Sequence, residues 1–512
     1  MEKVHGRFDL IISKKNEVHL FVKTDKGIAR ELSDFFTFEV PGAKFMPQYK
    51  SRVWDGKIRL YNQMSGEIYV GLLPYIEEFA KRNEIDIEYE ENVNGQQELG
   101  DGELDNFVRR VSPQSNGKAL EIRDYQMDAF IHAVRTNRSL LLSPTASGKS
   151  LIIYLLAVWY AMKTEKNILI LVPTTSLVEQ MYTDFIDYGF KESMMQKIYQ
   201  GYSKNITKPI TISTWQSIYK MPKKWFEQFG CTLGDEVHIF KSKSLTGIMN
   251  KLVRCKYRHG FTGTLDGTQT HRLVLEGLFG SVNKITTSKE LMDAGTLAKL
   301  KVQCLVLKYP EVDCKYMVKQ NYQDEVDLIV RDTRRNKFII GLTRALKGNT
   351  LVLFQFVEKH GSVLHTMMIA SARLGKEYDR KIFYVHGGTD TETREEIRAI
   401  AENEKNAIII ASYGTFSTGI NIRNLHNIVF SSPSKSRIRV LQSIGRGLRV
   451  NDSKHSATLI DIADDFTYKG KQNFTLRHFM ERINIYNEEE FDYDIKQISI
   501  EKDKNGTTDK SS

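Results

Sequence analysis

"LSPTASGKSLIIYLLAVWYAM", residues Leu142 to Met162, joins a loop of small residues to an almost unbroken apolar run. It reads either as a phosphate-gripping loop on a buried helix or as part of a membrane span behind a chance Gly-Lys-Ser. Length rejects the span, because Leu151 to Met162 falls well short of the roughly 20 apolar residues that cross a bilayer. Read as a phosphate loop, Leu141 and Leu142 end a strand, Ser143 to Gly148 turn, and Lys149-Ser150 begin a helix. Backbone N–H groups and the helix N-terminus then form an anion pocket. In that pocket Lys149 meets the β/γ-phosphates of a nucleotide and Ser150 holds Mg²⁺. Ser143 stands where the first glycine of such loops is usual. The apolar run becomes the helix wedged against a sheet.

At 512 residues the chain is too long for one core, and about two to four domains are expected. Apolar residues at 41% and charged residues at 27% are the balance of an ordinary globular protein. The opening "MEKVHGRFDL" has scattered charges and no apolar core segment, so no secretory signal is expected and a cytoplasmic location follows. Cys231, Cys255, Cys304 and Cys314 lie far apart without metal-ligand spacing and read as buried reduced thiols. The net charge of +10 suits a polyanionic partner without establishing one.

Residues 1–90 read as a small α+β domain. "VHLFVKTD" and "GKIRLYN" look like strands, and "LLPYIEEFAKRNE" has helical apolar spacing. Residues 91–117 turn polar and read as a linker. Two α/β blocks follow, 118–297 and 298–486. In the first, "SLLLS", "NILILVP", "ITIST" and "GFTGT" are strands. In the second they are "TLVLFQ", "KIFYVH", "AIIIAS", "HNIVFSS" and "ATLIDIA". Continuous Val/Ile/Leu strands alternating with helices predict two parallel sheets in tandem, each covered on both faces. Residues 487–512 are charged and weakly apolar and read as a flexible tail.

Three further stretches carry chemistry. "GDEVH", Gly234 to His238, places adjacent carboxylates after a short strand. Asp235 faces the Mg²⁺ shell, in part through water, and Glu236 positions and deprotonates the attacking water. A lone acidic pair would read as a solvated loop; the phosphate loop upstream gives this one its role. "LQSIGRGLRV" sets Arg446 and Arg449 three apart, on one helical face, where both could reach a γ-phosphate and stabilise charge during transfer; without the phosphate loop upstream they would read as a solvated basic face. Near the N-terminus, Lys50, Arg52, Trp54, Lys57 and Arg59 interleave bases with an aromatic around Asp55-Gly56. Such a strip neutralises phosphates and stacks a base; the alternative is a hairpin with Trp54 in the core and solvated cations.

The order of these pieces resembles the superfamily-two helicases, nucleic-acid-dependent ATPases with two RecA-like domains. "RDYQ" is similar to their adenine-reading motif, which implies that Gln126 binds adenine. "PTASGKS" and "DEVH" resemble the first two motifs, with Ala146 where glycine is usual. The resemblance adds Thr145, Ser147 and Gly148 to Lys149 and Ser150 around ATP. "VPTTSLVEQ" and "STWQS" resemble the nucleic-acid-contacting motifs, implying contacts from Pro173, Thr174, Thr175, Thr214 and Trp215. "FTGT" (Phe261 to Thr264) stands where hydrolysis is coupled to strand movement. In the second block Gly419 and Asn421 match the fifth motif, though aspartate is common at the latter place. Gln442 and Gly445 match the sixth, with Ser443 where arginine is frequent. The resemblance spans about Leu120 to Asp465.

A narrower resemblance is to the UvsW-type recombination helicases of tailed phages. It rests on "VPTTSLVEQM", "STWQSIYKMPKKWFEQFG", "DTETREEI", "ASYGTFSTGI", "VLQSIGRGLR" and the N-terminal "FMPQYKSRVWDGKIRLYN". It implies fork regression, branch migration and removal of D-loops and R-loops. ATP and Mg²⁺ are then the cofactors, with forked or branched DNA, single-stranded DNA and RNA–DNA hybrids as substrates. It further implies a monomeric motor in the host cytoplasm, with phage recombination proteins as partners and no membrane. The rivals are an RNA-remodelling ATPase of the same superfamily and a strand-annealing protein with a vestigial ATPase. A phosphate-loop kinase or GTPase, a third, gives no reason for a second block with paired arginines.

Overall fold

The computed structural model describes residues 9–90, 93, 100–239, 243–265, 268–374, 380–419, 422, 424–434, 436–448 and 456–501. The chain divides into two compact units, Met1–Ser143 with Ser147–Thr286, and Pro144–Ala146 with Thr287–Ser512.

The first unit opens with strands β1 (Leu10–Lys14), β2 (His19–Thr24), β3 (Thr37–Glu39), β4 (Lys57–Arg59), β5 (Tyr61–Asn62), β6 (Glu67–Tyr69) and β7 (Ile87–Tyr89). Five of them make a sheet in the order β5-β6-β2-β1-β7, and β3 pairs with β4 as a separate antiparallel hairpin. Helices Lys26–Phe35 and Leu73–Arg82 bury Leu32, Ile76 and Phe79 into this domain's core. Leu273, from helix Gln269–Phe279 of the following block, completes the same core. The junction is tight: a Cβ on Gly71 would lie 1.9 Å from the carbonyl oxygen of Glu276, so only glycine fits. Beside it the Tyr75 hydroxyl donates to the Glu276 carboxylate at 2.6 Å. The small domain is thus packed onto the first α/β block.

A short hairpin, β8 (Gln114–Ser115) with β9 (Lys118–Ala119), precedes that block. Its strands are β10 (Arg138–Leu142), β11 (Asn167–Val172), β12 (Met195–Ile198), β13 (Ile210–Thr214), β14 (Phe229–Gly234), β15 (Tyr257–Thr262) and β16 (Val282–Lys284). All pairings are parallel, in the order β12-β13-β11-β14-β15-β10-β16. Alternate residues feed opposite faces, as a period of two requires: Ile168 and Ile170 join one core cluster, Leu169 and Leu171 the other. The opening apolar run is helix Lys149–Lys163, and nine of its residues are buried. No helix among the described residues is long and apolar enough to cross a membrane.

The second unit carries β17 (Lys299–Lys308), β18 (Thr350–Phe354), β19 (Ile382–Val385), β20 (Ile408–Ser412), β21 (Asn427–Phe430), β22 (Ser456–Asp465) and β23 (Asp492–Ser499). They form another all-parallel seven-stranded sheet, β19-β20-β18-β21-β22-β17-β23. Buried carboxylates on β22 are each matched by a donor, as burial of charge demands. Asp461 takes two bonds from Arg482 at 2.7 and 2.8 Å, and Asp464 takes one from Arg335 at 2.8 Å. The four cysteines are free and buried.

Two expectations are corrected. Within the linker 91–117, helix Asp101–Val111 inserts Leu104 and Phe107 into the first block's core. In the tail 487–512, β23 completes the second sheet along β17, with residues 502–512 outside the described ones. Its side chains are mostly exposed, so its composition resembles a tail while its backbone is held by a ladder. Truncation after residue 491 is therefore expected to lower the unfolding midpoint of the second unit by about 5 °C or more. Calorimetry on the truncated chain checks this; an unchanged midpoint would return the segment to the status of a tail.

Candidate nucleotide and nucleic-acid sites

The strand ends Leu142 and Thr262 are register partners, as are Gly234 and Gly260, so the turns after β10, β14 and β15 emerge at one edge. Ligands of open α/β sheets bind at this carboxyl edge. The Ser143 N–H donates to the Thr262 carbonyl at 3.0 Å, and Lys149 Nζ reaches back to the Ser143 carbonyl at 3.3 Å. Ser143 and Ser147 share a buried hydroxyl–hydroxyl bond, so the serine in place of the first glycine ties the loop across its base. Ala146 takes a left-handed backbone, φ 68°, which explains why glycine is usual there. Gly148 is left-handed as well (φ 82°), and a Cβ on it would lie 2.3 Å from Gln126 Nε2. Thr145 is half-buried in the same turn.

Gln126 holds the loop from behind. Its Oε1 accepts the Arg123 N–H at 3.1 Å, and its Nε2 donates to the Ser147 carbonyl at 3.0 Å. The Tyr125 hydroxyl donates to that same carbonyl at 2.9 Å. Gln126 is 3% exposed, so binding adenine would require it to exchange these bonds. The Ser150 hydroxyl pairs with that of Tyr188 at 2.8 Å.

Asp235 extends β14 by donating its N–H to Leu171 at 2.9 Å. Burial, then the adjacent Glu236 carboxylate, pushes the Asp235 carboxyl up, while the Lys149 ammonium pulls it down. A divalent cation there would relieve both upward pressures. Ser150 and Asp235 offer hard oxygen donors, a hydroxyl and a carboxylate. That fits magnesium, which keeps phosphate oxygens and waters in its shell.

Glu236 is itself left-handed, φ 51°, a strained backbone of the kind that collects at functional sites. His238 Nδ1 lies 3.3 Å from Glu236 Oε2 and 3.1 Å from Thr262 Oγ1. Since the Thr262 hydroxyl donates to the Thr264 carbonyl at 2.8 Å, its oxygen accepts from His238, placing that ring's proton on Nδ1. His238 thereby links the acidic turn to the "FTGT" turn.

The two candidate nucleic-acid loops of this block are neighbours, because Val172 and Thr214 are register partners. Gln216 Nε2 donates to the Pro173 carbonyl at 3.2 Å and joins them. Thr174 caps helix Thr175–Asp187 through the Leu177 N–H, and Thr214 Oγ1 pairs with Ser217 at 2.8 Å. Trp215 packs partly into the core beneath.

In the small domain, Lys50, Arg52, Trp54 and Arg59 line one open groove of about 870 Å³ with Lys44 and Tyr49. The Trp54 ring is half-buried and its indole N–H donates to the Lys57 carbonyl at 2.8 Å. Arg59 pairs with Asp55 at 2.5 Å, leaving Lys50 and Arg52 as the more available cations of the strip. In the second unit, Gly419 ends helix Tyr413–Gly419, and Gln442, Ser443, Gly445 and Arg446 lie on helix Arg437–Gly447. Asn421 and Arg449 are outside the described residues.

Residues 9–90 match the family model "DNA helicase UvsW, N-terminal". Residues 119–267 match "Type III restriction enzyme, res subunit", and residues 332–451 match "Helicase conserved C-terminal domain". The chain is 36% identical over 502 residues to the ATP-dependent DNA helicase uvsW of Enterobacteria phage T4, covering 94% of this chain and 98% of that protein. The chain belongs to the UvsW family of DNA helicases.

The crystal structure of T4 UvsW superposes with a TM-score of 0.52 at 34% identity, covering 96% of this chain and all of that one. The DNA 3'-5' translocase XPB2 of Sulfurisphaera tokodaii is 25% identical over 67% of this chain and 81% of its own length. A DNA-bound Type ISP restriction-modification enzyme, LlaBIII, shares the fold at 16% identity with a TM-score of 0.55, covering 76% of this chain and 32% of that one. As a UvsW-family member the chain is an ATP-dependent helicase that acts on DNA, built of two parallel seven-stranded sheets in tandem and a small N-terminal domain. Within that frame Tyr125, Tyr188, His238 and Thr262 are the residues the motifs alone did not bring out. The side-chain neighbours of "DEVH" and "FTGT", had they been paired, would have pointed to His238 and Thr262.

Proposed function

We propose that this chain couples ATP hydrolysis to the remodelling of branched DNA: fork regression, branch migration, and removal of D-loops and R-loops. The observation that carries the reading is the basic groove around Lys50 and Arg52, on a domain packed tightly against the block that holds the phosphate loop. One such body supplies both a nucleotide site and a second DNA contact beyond Pro173–Thr175 and Thr214–Trp215. In this account Lys149 and the backbone N–H groups of Ser147 to Ser150 bind the phosphates, and Ser150 and Asp235 hold Mg²⁺. The bound ion supplies charge neutralisation at the β/γ-phosphates. Glu236 orients the attacking water and takes its proton, with His238 fixing the carboxylate's position. Arg446 and Arg449 stabilise charge on the γ-phosphate as it transfers. Cycles of ATP binding and release would alternate the grip of the two RecA-like blocks on the strand. The setting consistent with the T4 relative is the cytoplasm of an infected host, with a monomeric motor working among phage recombination proteins.

The experiment is a comparison of ATPase and unwinding rates on single-stranded, forked, four-way and RNA–DNA hybrid substrates. Forks and junctions are expected to be remodelled fastest; equal rates on RNA duplexes would favour an RNA-remodelling ATPase. Replacing Lys50, Arg52, Lys57 and Arg59 together by alanine should weaken junction binding. The salt slope should fall by roughly one unit for each phosphate the variant no longer neutralises. ATPase driven by saturating single strands should stay near the parent value. Parent-rate junction remodelling by a folded quadruple variant would make the strip a solvated face.

A further inference from the structure

Between β3 and β4 the chain makes an excursion that does not fold back into the core. Two large apolar side chains on it stand in water: Phe45 is 82% exposed and Val53 81%. Single exposed apolar residues are ordinary, but these two share one short segment, and the segment is ordered by its own hydrogen bonds. Phe45 N–H donates to Gly42, Lys50 N–H to Met46, and both the Val53 and Trp54 N–H groups to the Gln48 carbonyl. The Trp54 indole bond to Lys57 and the close packing of Gly56 on Ala43 and Tyr49 anchor its base. Arg52, immediately before Val53, is left-handed at φ 57°, a strained backbone for a residue with a side chain. A chain held in this way, with its apolar tips outward, lacks a partner for them.

Charge identifies the partner. Lys44 precedes Phe45, Arg52 precedes Val53, and both cations line the open groove with Lys50. Apolar side chains flanked by cations suit the end of a nucleic-acid duplex, where a stacked base face is framed by two phosphate backbones. They suit an apolar protein surface poorly, because burying those cations would be costly. The excursion is carried on the domain that Gly71, Tyr75 and Leu273 pack onto the first block, so it stays with the body that binds the phosphates.

We propose that Phe45 and Val53 form a wedge that stacks on the terminal base pair of a DNA duplex at a fork and separates its strands. This rests on the branched-DNA reading above and adds to it a residue-level division. The cations would hold the fork, while the two apolar side chains would open it. Trp54, whose N–H is already engaged, would support the loop from behind.

The test uses the full chain and a forked oligonucleotide with 2-aminopurine in the first base pair. Binding of the parent without nucleotide should raise the probe's emission severalfold, as the base loses its stacking partner. The double variant Phe45→Ala/Val53→Ala should bind the fork within about threefold of the parent and with the same salt slope, since every phosphate-binding cation is kept. It should give no rise in emission and displace strands at least tenfold more slowly, with single-strand-stimulated ATPase unchanged. Phe45→Trp should restore the opening. An emission rise and displacement rate equal to the parent's in the double variant would overturn the wedge, as would a parent that binds the fork without any rise. A sedimenting dimer that becomes a monomer in the double variant would also overturn it, making the tips a contact between copies. Absence of DNA-stimulated ATPase or fork binding in the parent would instead defeat the underlying branched-DNA reading.

Discussion

Lys149→Ala is expected to abolish ATP turnover and nucleotide affinity together, whereas Glu236→Gln is expected to abolish turnover alone. The difference follows from where each side chain stands. The Lys149 ammonium lies within the loop, 3.3 Å from the Ser143 carbonyl, in the turn proposed to take the phosphates. Its removal leaves the Asp235 carboxyl, already pushed up by burial and by Glu236, without the cation that opposes that shift. The loop then loses the ammonium that would meet the phosphate charge. Glu236 lies outside the phosphate loop, 3.3 Å from His238, with its backbone strained into the left-handed region. Glutamine keeps the size and the hydrogen bonding but cannot take a proton from water. Loss of a positioned general base costs on the order of 10²–10⁴-fold in rate. The Gln variant should therefore bind ATP and DNA near parent affinity and accumulate as a stable complex. Equilibrium titration with a fluorescent ATP analogue, beside steady-state phosphate release, separates the two variants. Equal loss of ATP affinity in both would remove Glu236 from its role.

Arg449→Ala should lower hydrolysis by on the order of 10³-fold or more while nucleotide affinity changes little, because an arginine finger acts on charge that develops during transfer. Arg446→Ala serves as the comparison. Arg446 lies in the last turn of helix Arg437–Gly447. Single-turnover hydrolysis at saturating ATP and DNA measures both. A loss below about tenfold for Arg449→Ala would transfer the role to Arg446 or to another group.

The parallel sheets were readable because strands such as "NILILV" and "AIIIAS" are apolar at successive positions, as a strand covered on both faces must be. β14 and β23 were harder for opposite reasons. β14 carries Gly230, Cys231 and Thr232, small residues that dilute the strand signal although every position is buried. β23 is an edge strand with mostly exposed side chains, so its membership rests on backbone pairing that no side-chain pattern records. Helix Asp101–Val111 was hidden by the polar residues around it. The buried and packed set Leu104, Phe107, Val108 and Val111 does have helical spacing, and weighting it would have found the helix. In the candidate site, motif order singled out Lys149, Asp235 and Glu236. The bonds from Tyr125 to Ser147, Tyr188 to Ser150 and His238 to Thr262 join residues 22 to 38 positions apart, and local spacing does not encode them.

The measurement closest to the central claim follows one DNA four-way junction through conversion by the parent and by Glu236→Gln, with and without ATP, alongside phosphate release with and without DNA. The account predicts that the parent converts the junction only with ATP and that its phosphate release rises when DNA is added. It predicts that Glu236→Gln binds both ATP and the junction yet converts none of it. Junction conversion by the parent without ATP, or by Glu236→Gln at the parent's rate, would contradict the account.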